Sequence, residues 1–533
     1  MFSFVFKIPK EKIDWNIIIN GHTIECSQKT ASSISKVISQ HIKKDKSKTS
    51  YSITIPEFEN SFVCSESDYQ YFDNIFNLVP LQISNINSGV LKIFAEKFEI
   101  EELSSLIKIF ESYYDIISND QSIQIQKDIT NELADIDENS FESLLQHFSE
   151  IEKSENNILT LDFIYLLFFS SCFSKPTKIE LFLTFLKKYE ENTNGGQFEY
   201  FKKKLLEEFK LAYEIDRSYV DNSIEKTLYS NYPLKSAYFI LNYLCNIKEI
   251  NESDMTKYRK RFQNCYSFNS QSNRKGEFSQ EEIEEYKKSG YNPTQLYQAI
   301  KNDDLDLFTH LMTQKSDTND FNNKISLLSY ERNPDILFQK KNFSDEIRNL
   351  ELAAVYGSEK IFNYILLNIK DVEIEPITVR MAFIGGNNSI IHKCVEKIEM
   401  DDYLLEMCII LTIKYKHQEL FEWLYEEHEV VKNKKVYDHL IQNAIKFNNI
   451  DVVIFLLSSG FDYTSLFMLS LLFDQFNLAR LAIKLPYSRD IPKTQKKSLQ
   501  PFTYKYDDIL FYFFDLNYHF LLLFIKIKLN LLK

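Results

Sequence analysis

Glycine, proline and tryptophan are scarce in this chain, which has 10 Gly, 11 Pro and 2 Trp among 533 residues. An all-β fold needs Gly- or Pro-rich turns between its many strands, so this scarcity favours helices joined by short turns. A hydrophobic share of 44% with 26% charged residues is ordinary for folded proteins and argues against disorder. The length predicts three or four structural units, not one core.

Several chemical signatures are missing as well. The seven cysteines stand singly with no CxxC, which predicts reduced, mostly buried thiols and neither a disulfide framework nor a zinc knuckle. No phosphate-binding GxxxxGK[ST] or GxGxxG and no HExxH occurs. His417 and His428 lie beside carboxylates, and we interpret both places as solvated helix ends. We therefore predict a protein that is not an enzyme, with no catalytic, cofactor-binding or metal-binding residue.

Charge and hydropathy limit the partners further. A net charge of −14 argues against nucleic-acid binding, which needs a basic face. The apolar start of residues 1–7 is too short for a signal peptide, so we expect a cytoplasmic protein. The apolar stretch 158–173 is also short and contains Asp162, which favours a buried helix. The aromatic tail 509–525 holds Asp515 near its centre, so membrane insertion is not expected, although a tail anchor is the alternative.

Residues 1–115 show strand patterns that the rest of the chain lacks. A β-branched run, Trp15–Ile19, ends at Asn20-Gly21, which is a strong hairpin signal, and His22–Cys26 alternates as a returning strand. Helical spacing follows over 31–42, and 51–56 alternates again before stopping at proline. Strands followed by helices predict a small α+β domain.

This order of elements resembles the BTB/POZ domain. The pieces that carry the resemblance are Asp14-Trp15-Asn16-Ile17-Ile18-Ile19-Asn20-Gly21 and Ala95-Glu96-Lys97-Phe98-Glu99-Ile100-Glu101-Glu102-Leu103. The chain departs from the family after Glu25, where Ser27-Gln28 stands in place of a usual histidine. The resemblance implies a head that forms a homodimer or recruits a ubiquitin-ligase scaffold. Residues 116–290 are predicted to be a helical connector without a repeat, and a hidden enzyme there is a further alternative.

The C-terminal half repeats one pattern, in which a small residue is followed four places later by a turn residue and then by two apolar pairs. The small residues, which we call anchors, are Ala299, Ala353, Ala382 and Ala444, with weaker copies at Thr412 and Ser470. From 353 onwards the anchors are 26 to 32 residues apart. This period predicts helical hairpins that stack side by side over 291–485, because one hairpin cannot bury its apolar face alone.

The pattern resembles ankyrin repeats, whose consensus runs A-A-x-x-G-x-x-x-[IV]-[IV]-x-x-L-L, although the Thr-Pro-Leu-His opening is missing. The segments 352–358, 385–392 and 420–424 are more narrowly similar to an uncharacterised ankyrin-like family abundant in protist proteomes. The 54 residues between Ala299 and Ala353 exceed one period. They predict either a degenerate unit around 325–338 or a long loop at 330–334, and this loop is our candidate for a functional excursion towards a partner.

The whole sequence thus predicts a mainly α protein. A BTB/POZ-like α+β domain (1–115), a helical connector (116–290), ankyrin-like repeats (291–485) and an apolar, aromatic tail (486–533) follow one another. We expect a non-enzymatic scaffold or adaptor that binds a protein on the concave face of the repeats. Through its head it would be a ubiquitin-ligase substrate adaptor, and the alternative is a scaffold tethered to a membrane by its tail.

Overall fold

The computed structural model describes most of the chain between residues 3 and 485. The described residues are 3–4, 6, 11–45, 47–56, 65–79, 81–84, 87–154, 157–218, 240–245, 247–251, 253, 278–314, 324–328, 331, 333–337, 346–369, 372–427, 434–459, 466, 469–470, 473 and 475–485. The tail 486–533, with the candidate anchor 509–525, lies outside them. The described residues divide into two compact units, one formed by those up to 116 with 457–459 and 484–485, and the other by those within 117–456 and 466–483.

The first unit contains the predicted hairpin. Its strands are β1 (Ser3–Phe4), β2 (Trp15–Ile19), β3 (His22–Cys26), β4 (Ser50–Ile53) and β5 (Leu81–Gln82). β2 pairs antiparallel with β3 and parallel with β4, while β1 pairs with β5. Asn20 and Gly21 both have positive φ, as the predicted two-residue turn requires. The Asn20 side chain also exchanges two hydrogen bonds with the backbone of Ile55, which fixes β4 beside the hairpin.

Helices cover this small sheet. They are α1 (Gln28–Ile34), α2 (Lys36–Lys44), α3 (Glu66–Phe76), α4 (Ser88–Lys97) and α5 (Glu101–Ser118). Ser35 ends α1 and caps α2, which divides the single helix predicted over 31–42 into two. The core is aromatic, with the rings of Phe72 and Phe94 stacked 4.2 Å apart. This unit is therefore α+β, as the sequence predicts.

Helices follow one another in the second unit. They are α6 (Gln121–Asp135), α7 (Phe141–Lys153), α8 (Leu161–Ser174), α9 (Ile179–Thr193), α10 (Gln197–Ser218), α11 (Gln280–Ser289), α12 (Gln295–Lys301) and α13 (Leu305–Gln314). Nearly all of α8 is buried, which confirms a buried helix for the apolar stretch 158–173. An asparagine before a proline, as at Asn292-Pro293, predicts a helix start, but α12 starts at Gln295. The Asn292 side chain accepts from Thr294 N and donates to the carbonyl of Ser326.

The remaining elements contain the hairpins that follow the first one, which α12 and α13 form. They are β6 (Lys324–Ser326), α14 (Pro334–Leu337), β7 (Glu346–Arg348), α15 (Asn349–Tyr356), α16 (Glu359–Asn368), α17 (Pro376–Gly385), α18 (Asn388–Lys397), α19 (Asp402–Tyr415), α20 (Gln418–Glu427), α21 (Lys434–Lys446), α22 (Ile450–Ser458) and α23 (Phe476–Lys484). The first helices α12, α15, α17, α19 and α21 pack in this order, and the second helices α13, α16 and α18 do likewise. The described chain is mainly helical, as predicted.

Each hairpin turns as its sequence predicts. The anchors Ala299, Ala353, Ala382, Thr412, Ala444 and Ser470 are all buried. The residue four places after each of the first five has a left-handed backbone; these residues are Asp303, Gly357, Gly386, Lys416 and Asn448. In four hairpins the backbone N–H one place further on donates to the anchor carbonyl at 2.9 Å, which closes a Schellman-type turn.

From the hairpin of Ala353 onwards, a polar side chain just before the second helix joins each hairpin to the hairpin before it. Ser358 donates to the carbonyl of Ile300, and three further side chains donate in the same way. These are Asn387 to Gly357 (3.2 Å), Asn449 to Ile413 (2.9 Å) and Gln475 to Ile445 (3.0 Å). His417 Nε2 lies 3.2 Å from the carbonyl of Ile384. These contacts satisfy buried carbonyls at every turn, and therefore fix the spacing between hairpins.

The hairpins of Ala299 and Ala353 are direct neighbours. Besides the contact from Ser358, the Asp303 carboxylate accepts from the backbone N–H groups of Lys360 (3.2 Å) and Ile361 (3.0 Å) at the start of α16. The intervening residues 315–348 are therefore an insertion between adjacent hairpins, which excludes the degenerate unit predicted as one of two options.

Candidate interaction site

The first helices α15, α17 and α19 are covered over most of their length. None of the residues 349–356, 377–385 and 404–415 is exposed. The side of the array formed by these helices, which we call the first-helix side, is partly covered by α8, which packs against α19. Another part of this cover comes from the insertion.

The insertion is held at its base. β6 and β7 pair antiparallel from Lys324–Arg348 to Ser326–Glu346. Asn292 Nδ2 donates to the carbonyl of Ser326 at 2.7 Å. Arg348 forms ion pairs with Glu351 (2.9 Å) and Glu375 (2.8 Å), which fixes β7 to the first helices that follow. Between the two strands, the described residues Glu331 and 333–337 form the part that we call the tip.

Glu331 is the first of two carboxylates that hold the tip in place, and it is fully buried. Tyr286 Oη and Tyr297 Oη each donate to its carboxylate at 2.9 Å. The hydroxyl of Tyr297 also lies 2.5 Å from that of Tyr356. One carboxylate is therefore surrounded by tyrosine hydroxyls from α11, α12 and α15.

Burial dominates the electrostatics of this cluster. Burial raises the pKa of Glu331 to about 7, although the hydrogen bonds from Tyr286 and Tyr297 oppose the rise. Burial and the Glu331 carboxylate together hold the pKa of both tyrosines well above the usual range, so that they stay hydrogen-bond donors. A carboxylate here is consequently satisfied by its donors but still costly.

Asp335, four residues after Glu331, is the second carboxylate that holds the tip in place. Its carboxylate pairs with Lys414 Nζ and accepts from Tyr415 Oη at 2.6 Å. Tyr415 Oη also lies 3.1 Å from Asn333 Oδ1. The Lys414 side chain is only 1% exposed, and burial lowers the pKa of its amine while Asp335 opposes this shift. The tip thus reaches from α11, α12 and α15 at one end to α19 at the other.

The prediction that 330–334 is a surface excursion is therefore wrong for its described residues. Glu331 and Asn333 are buried, because their polar atoms find partners among the tyrosines of the first helices. A sequence signal for this site exists: Tyr356 and Tyr415 each stand three places after an anchor, and Glu331 and Asp335 have the spacing of one helical turn. The pattern does not show which tyrosine meets which carboxylate.

Helix α6 covers the array further along. Gln126 Nε2 donates to Asn448 Oδ1 (2.7 Å) and Gln475 Oε1 (2.8 Å), and its Oε1 accepts from Asn477 (3.1 Å). All four side chains are buried. Lys127, which is also on α6, forms an ion pair with Asp451 on α22 at 2.9 Å. Part of the predicted connector is thus packed on the repeats through a buried polar junction.

The second helices form a more exposed surface with a period of about 30 residues. Ser389 donates to Glu359 (2.6 Å) and Lys393 to Asn363 (2.7 Å), in both cases across neighbouring hairpins. The half-buried Trp423 ring lies 5.5 Å from the ring of His392, which is exposed. Trp423 therefore packs on the adjacent hairpin.

His417 does not lie at a solvated helix end, so that prediction is wrong. It is half-buried between two hairpins, and burial, with Lys175 nearby, lowers the pKa of its ring to about 4. His428 lies outside the described residues. Among the described part of the chain, no group of three or more His, Cys, Asp and Glu is placed to hold a metal ion.

Most of the described cysteines are buried, as the sequence predicts. Cys26, Cys172, Cys394 and Cys408 are buried, and burial raises the pKa of each, whereas Cys245 is half-buried. No described helix has both the length and the apolar character to span a bilayer.

Comparisons with known proteins give one match. A family model described as a domain of unknown function (DUF3447) matches residues 369–431. This range contains the hairpins of Ala382 and Thr412 and two of the three segments that suggested an uncharacterised repeat family, 385–392 and 420–424. Neither an ankyrin-repeat nor a BTB/POZ model matches. No curated protein and no solved structure matches the chain.

Proposed function

We propose that this chain is a non-enzymatic scaffold or adaptor that binds another protein through an ankyrin-like solenoid. The observation that supports the proposal most is the regular contact between successive hairpins at Asn387, His417, Asn449 and Gln475. Such contacts hold side chains from many hairpins in fixed relative positions. A partner then binds without ordering the surface first, which reduces the entropy cost of association.

The partner is proposed to bind the first-helix side, which is the concave face in an ankyrin-like arrangement. The hydroxyls and the amine around the tip are directed donors there, and in this structure they bind the carboxylates of the tip. The polar side chains of the second helices pair with one another instead, such as Lys393 with Asn363. Directed donors in a buried setting give specificity, because a partner without matching acceptors leaves them unpaired.

Site-specific crosslinking in native lysate tests this function. A photo-reactive side chain replaces Tyr403 at the start of the first helix α19, Leu367 at the end of the second helix α16, or Gln146 on α7 as the control. All three are exposed. The proposal expects one specific protein adduct from Tyr403 and none from Gln146. Adducts from Leu367 alone would move the partner to the second helices, and no adduct from either array position would refute the scaffold function.

The N-terminal unit is proposed to be a BTB/POZ-like head that forms a homodimer or recruits a ubiquitin-ligase scaffold. The resemblance of 14–21 and 95–103 supports this proposal together with the hairpin, the parallel strand β4 and the following helices. Light scattering on the full chain gives the oligomeric state, and a pull-down with a cullin-type scaffold tests recruitment. A monomer that retains no such scaffold would remove the adaptor role.

A further inference from the structure

The tip occupies its place as a ligand occupies a binding site. Two carboxylates, Glu331 and Asp335, meet a face made of hydroxyls and one amine, which donate hydrogen bonds. We call it the donor face and define it as Tyr286, Tyr297, Tyr356, Lys414 and Tyr415, which come from α11 and three first helices. The charge complementarity is direct: the tip supplies the negative groups and the array supplies the donors.

The buried polar contacts between the tip and this face contribute little to stability. Burial opposes the ionised forms of both Glu331 and Lys414. Buried charges with their partners are commonly replaced by apolar side chains of similar volume without loss of stability. A buried cluster of charged and polar side chains is an exception to the rules for a stable core, and such exceptions are expected at functional sites.

The contacts that hold the stack and the base of the insertion do not involve the tip. The base of the insertion is held separately by the β6–β7 pairing and by Arg348. The hairpins on either side contact each other directly through Asp303 and Ser358. Neither set of contacts uses Glu331 or Asp335, so release of the tip costs only the contacts of the tip itself.

We propose that the tip is a displaceable internal ligand, and that the external partner presents an acidic peptide with two carboxylates four residues apart. This inference rests on the proposed function, since it names the chemistry of the protein that the array binds. The donor face is then covered in the free protein, and the partner must compete with the tip. Covering the face also hides buried donors from proteins that lack the matching acidic pair.

A peptide-binding experiment tests the inference. The probe is a fluorescein-labelled, capped peptide with the sequence of residues 329–338, added to the full chain or to the full-length variant Glu331→Ala/Asp335→Ala. We expect the variant to bind the peptide at least about tenfold more tightly than the unmodified chain, because its own tip no longer competes. Adding Lys414→Met to the variant should weaken binding by about tenfold or more through loss of the charge-assisted contact.

The controls separate charge from shape. A probe with Gln and Asn in place of its two carboxylates should not bind the variant. Absence of binding by the acidic probe to a variant that keeps its circular dichroism and thermal transition would overturn the inference. A variant that dimerises in sedimentation without added peptide would also overturn it, because the occupant would then be a second copy of the chain.

Hydrogen exchange on the unmodified chain gives an answer even where the variant fails to fold. Amides of 333–337 are expected to exchange through local opening, at least about tenfold faster than those of α15 and α19. Exchange of all three regions at one common rate would show a permanent core segment and would refute displacement. Neither result depends on the crosslinking of a partner from lysate, so the inference and the scaffold function fail separately.

Discussion

Replacing Glu331 by Gln should remove a pH dependence from the stability of the second unit. The pKa of this carboxyl rises from an ordinary value of 4.5 to about 7 in the folded chain. The folded state therefore holds the proton more tightly than the unfolded state. The stabilisation from the protonated form is complete below pH 4.5 and is lost as the pH rises through 7. The difference between the two pKa values corresponds to about 3 kcal/mol.

Urea unfolding at fixed ionic strength measures this effect. The two tryptophans are Trp15 and Trp423, so a Trp15→Phe background leaves Trp423 as the fluorescent reporter of the second unit. We expect the unfolding free energy of Glu331→Gln, minus that of the parent, to increase by up to about 3 kcal/mol between pH 4.5 and 7.5. Groups such as His417 titrate in both chains, so their contributions cancel.

A matched substitution at an exposed carboxyl serves as the control. Glu419 lies on α20 near the reporter and is exposed. Glu419→Gln should leave the difference from the parent unchanged over the same pH range. A difference for Glu331→Gln that stays constant from pH 4.5 to 7.5 would refute the claim that burial controls this carboxyl.

Three further substitutions test the packing of the array. Gly385→Ala should destabilise the second unit by about 1–3 kcal/mol in urea unfolding, because the added Cβ would lie 2.2 Å from the carbonyl oxygen of Ala354. Asn449→Ala should cost about 1–3 kcal/mol in the same assay, since the buried carbonyl of Ile413 loses its donor. Gln126→Leu should speed amide exchange throughout α6, because three buried amide side chains lose their hydrogen bonds to this helix residue.

Each of these has an outcome that would contradict it. An unchanged urea midpoint for Gly385→Ala would mean that α15 and α17 do not approach as closely as described. Asn368→Ala removes an exposed side-chain bond to a backbone carbonyl and is the control for Asn449→Ala. Equal losses for the two would remove the role of the contact between hairpins. Exchange in α6 that does not respond to Gln126→Leu would show that the polar junction does not hold this helix.

The local features of the fold could be predicted from the sequence. The Asn20-Gly21 hairpin and the anchors with their left-handed residues depend on contacts within a few positions, so residue type and spacing are sufficient to indicate them. The start of α12 shows the limit of this approach. Asn292 is of a residue type that often caps helices, but its side chain donates to the carbonyl of Ser326, which lies in strand β6 34 residues later.

The candidate site could not be predicted in the same way. Glu331 is charged and lies in a segment that reads as a loop, and its burial depends on tyrosines 34 and 45 positions earlier. The junction of Gln126 with Asn448 joins residues 322 positions apart. Periodicity describes which face of a helix is apolar, but it contains no information on pairs of polar side chains that meet across such distances.

The docking of α6 has a consequence for the order of events during synthesis. At rates of about 5–20 residues per second, Gln126 is added to the chain roughly 16 to 64 seconds before Asn448. Helix α6 must wait for that time with its polar partners absent, while the hairpins between are completed one by one. In a gene fragment that starts at the first hairpin, the last hairpins would lack the hydrogen bonds that Gln126 makes to Asn448, Gln475 and Asn477, and only the longer polypeptide supplies them.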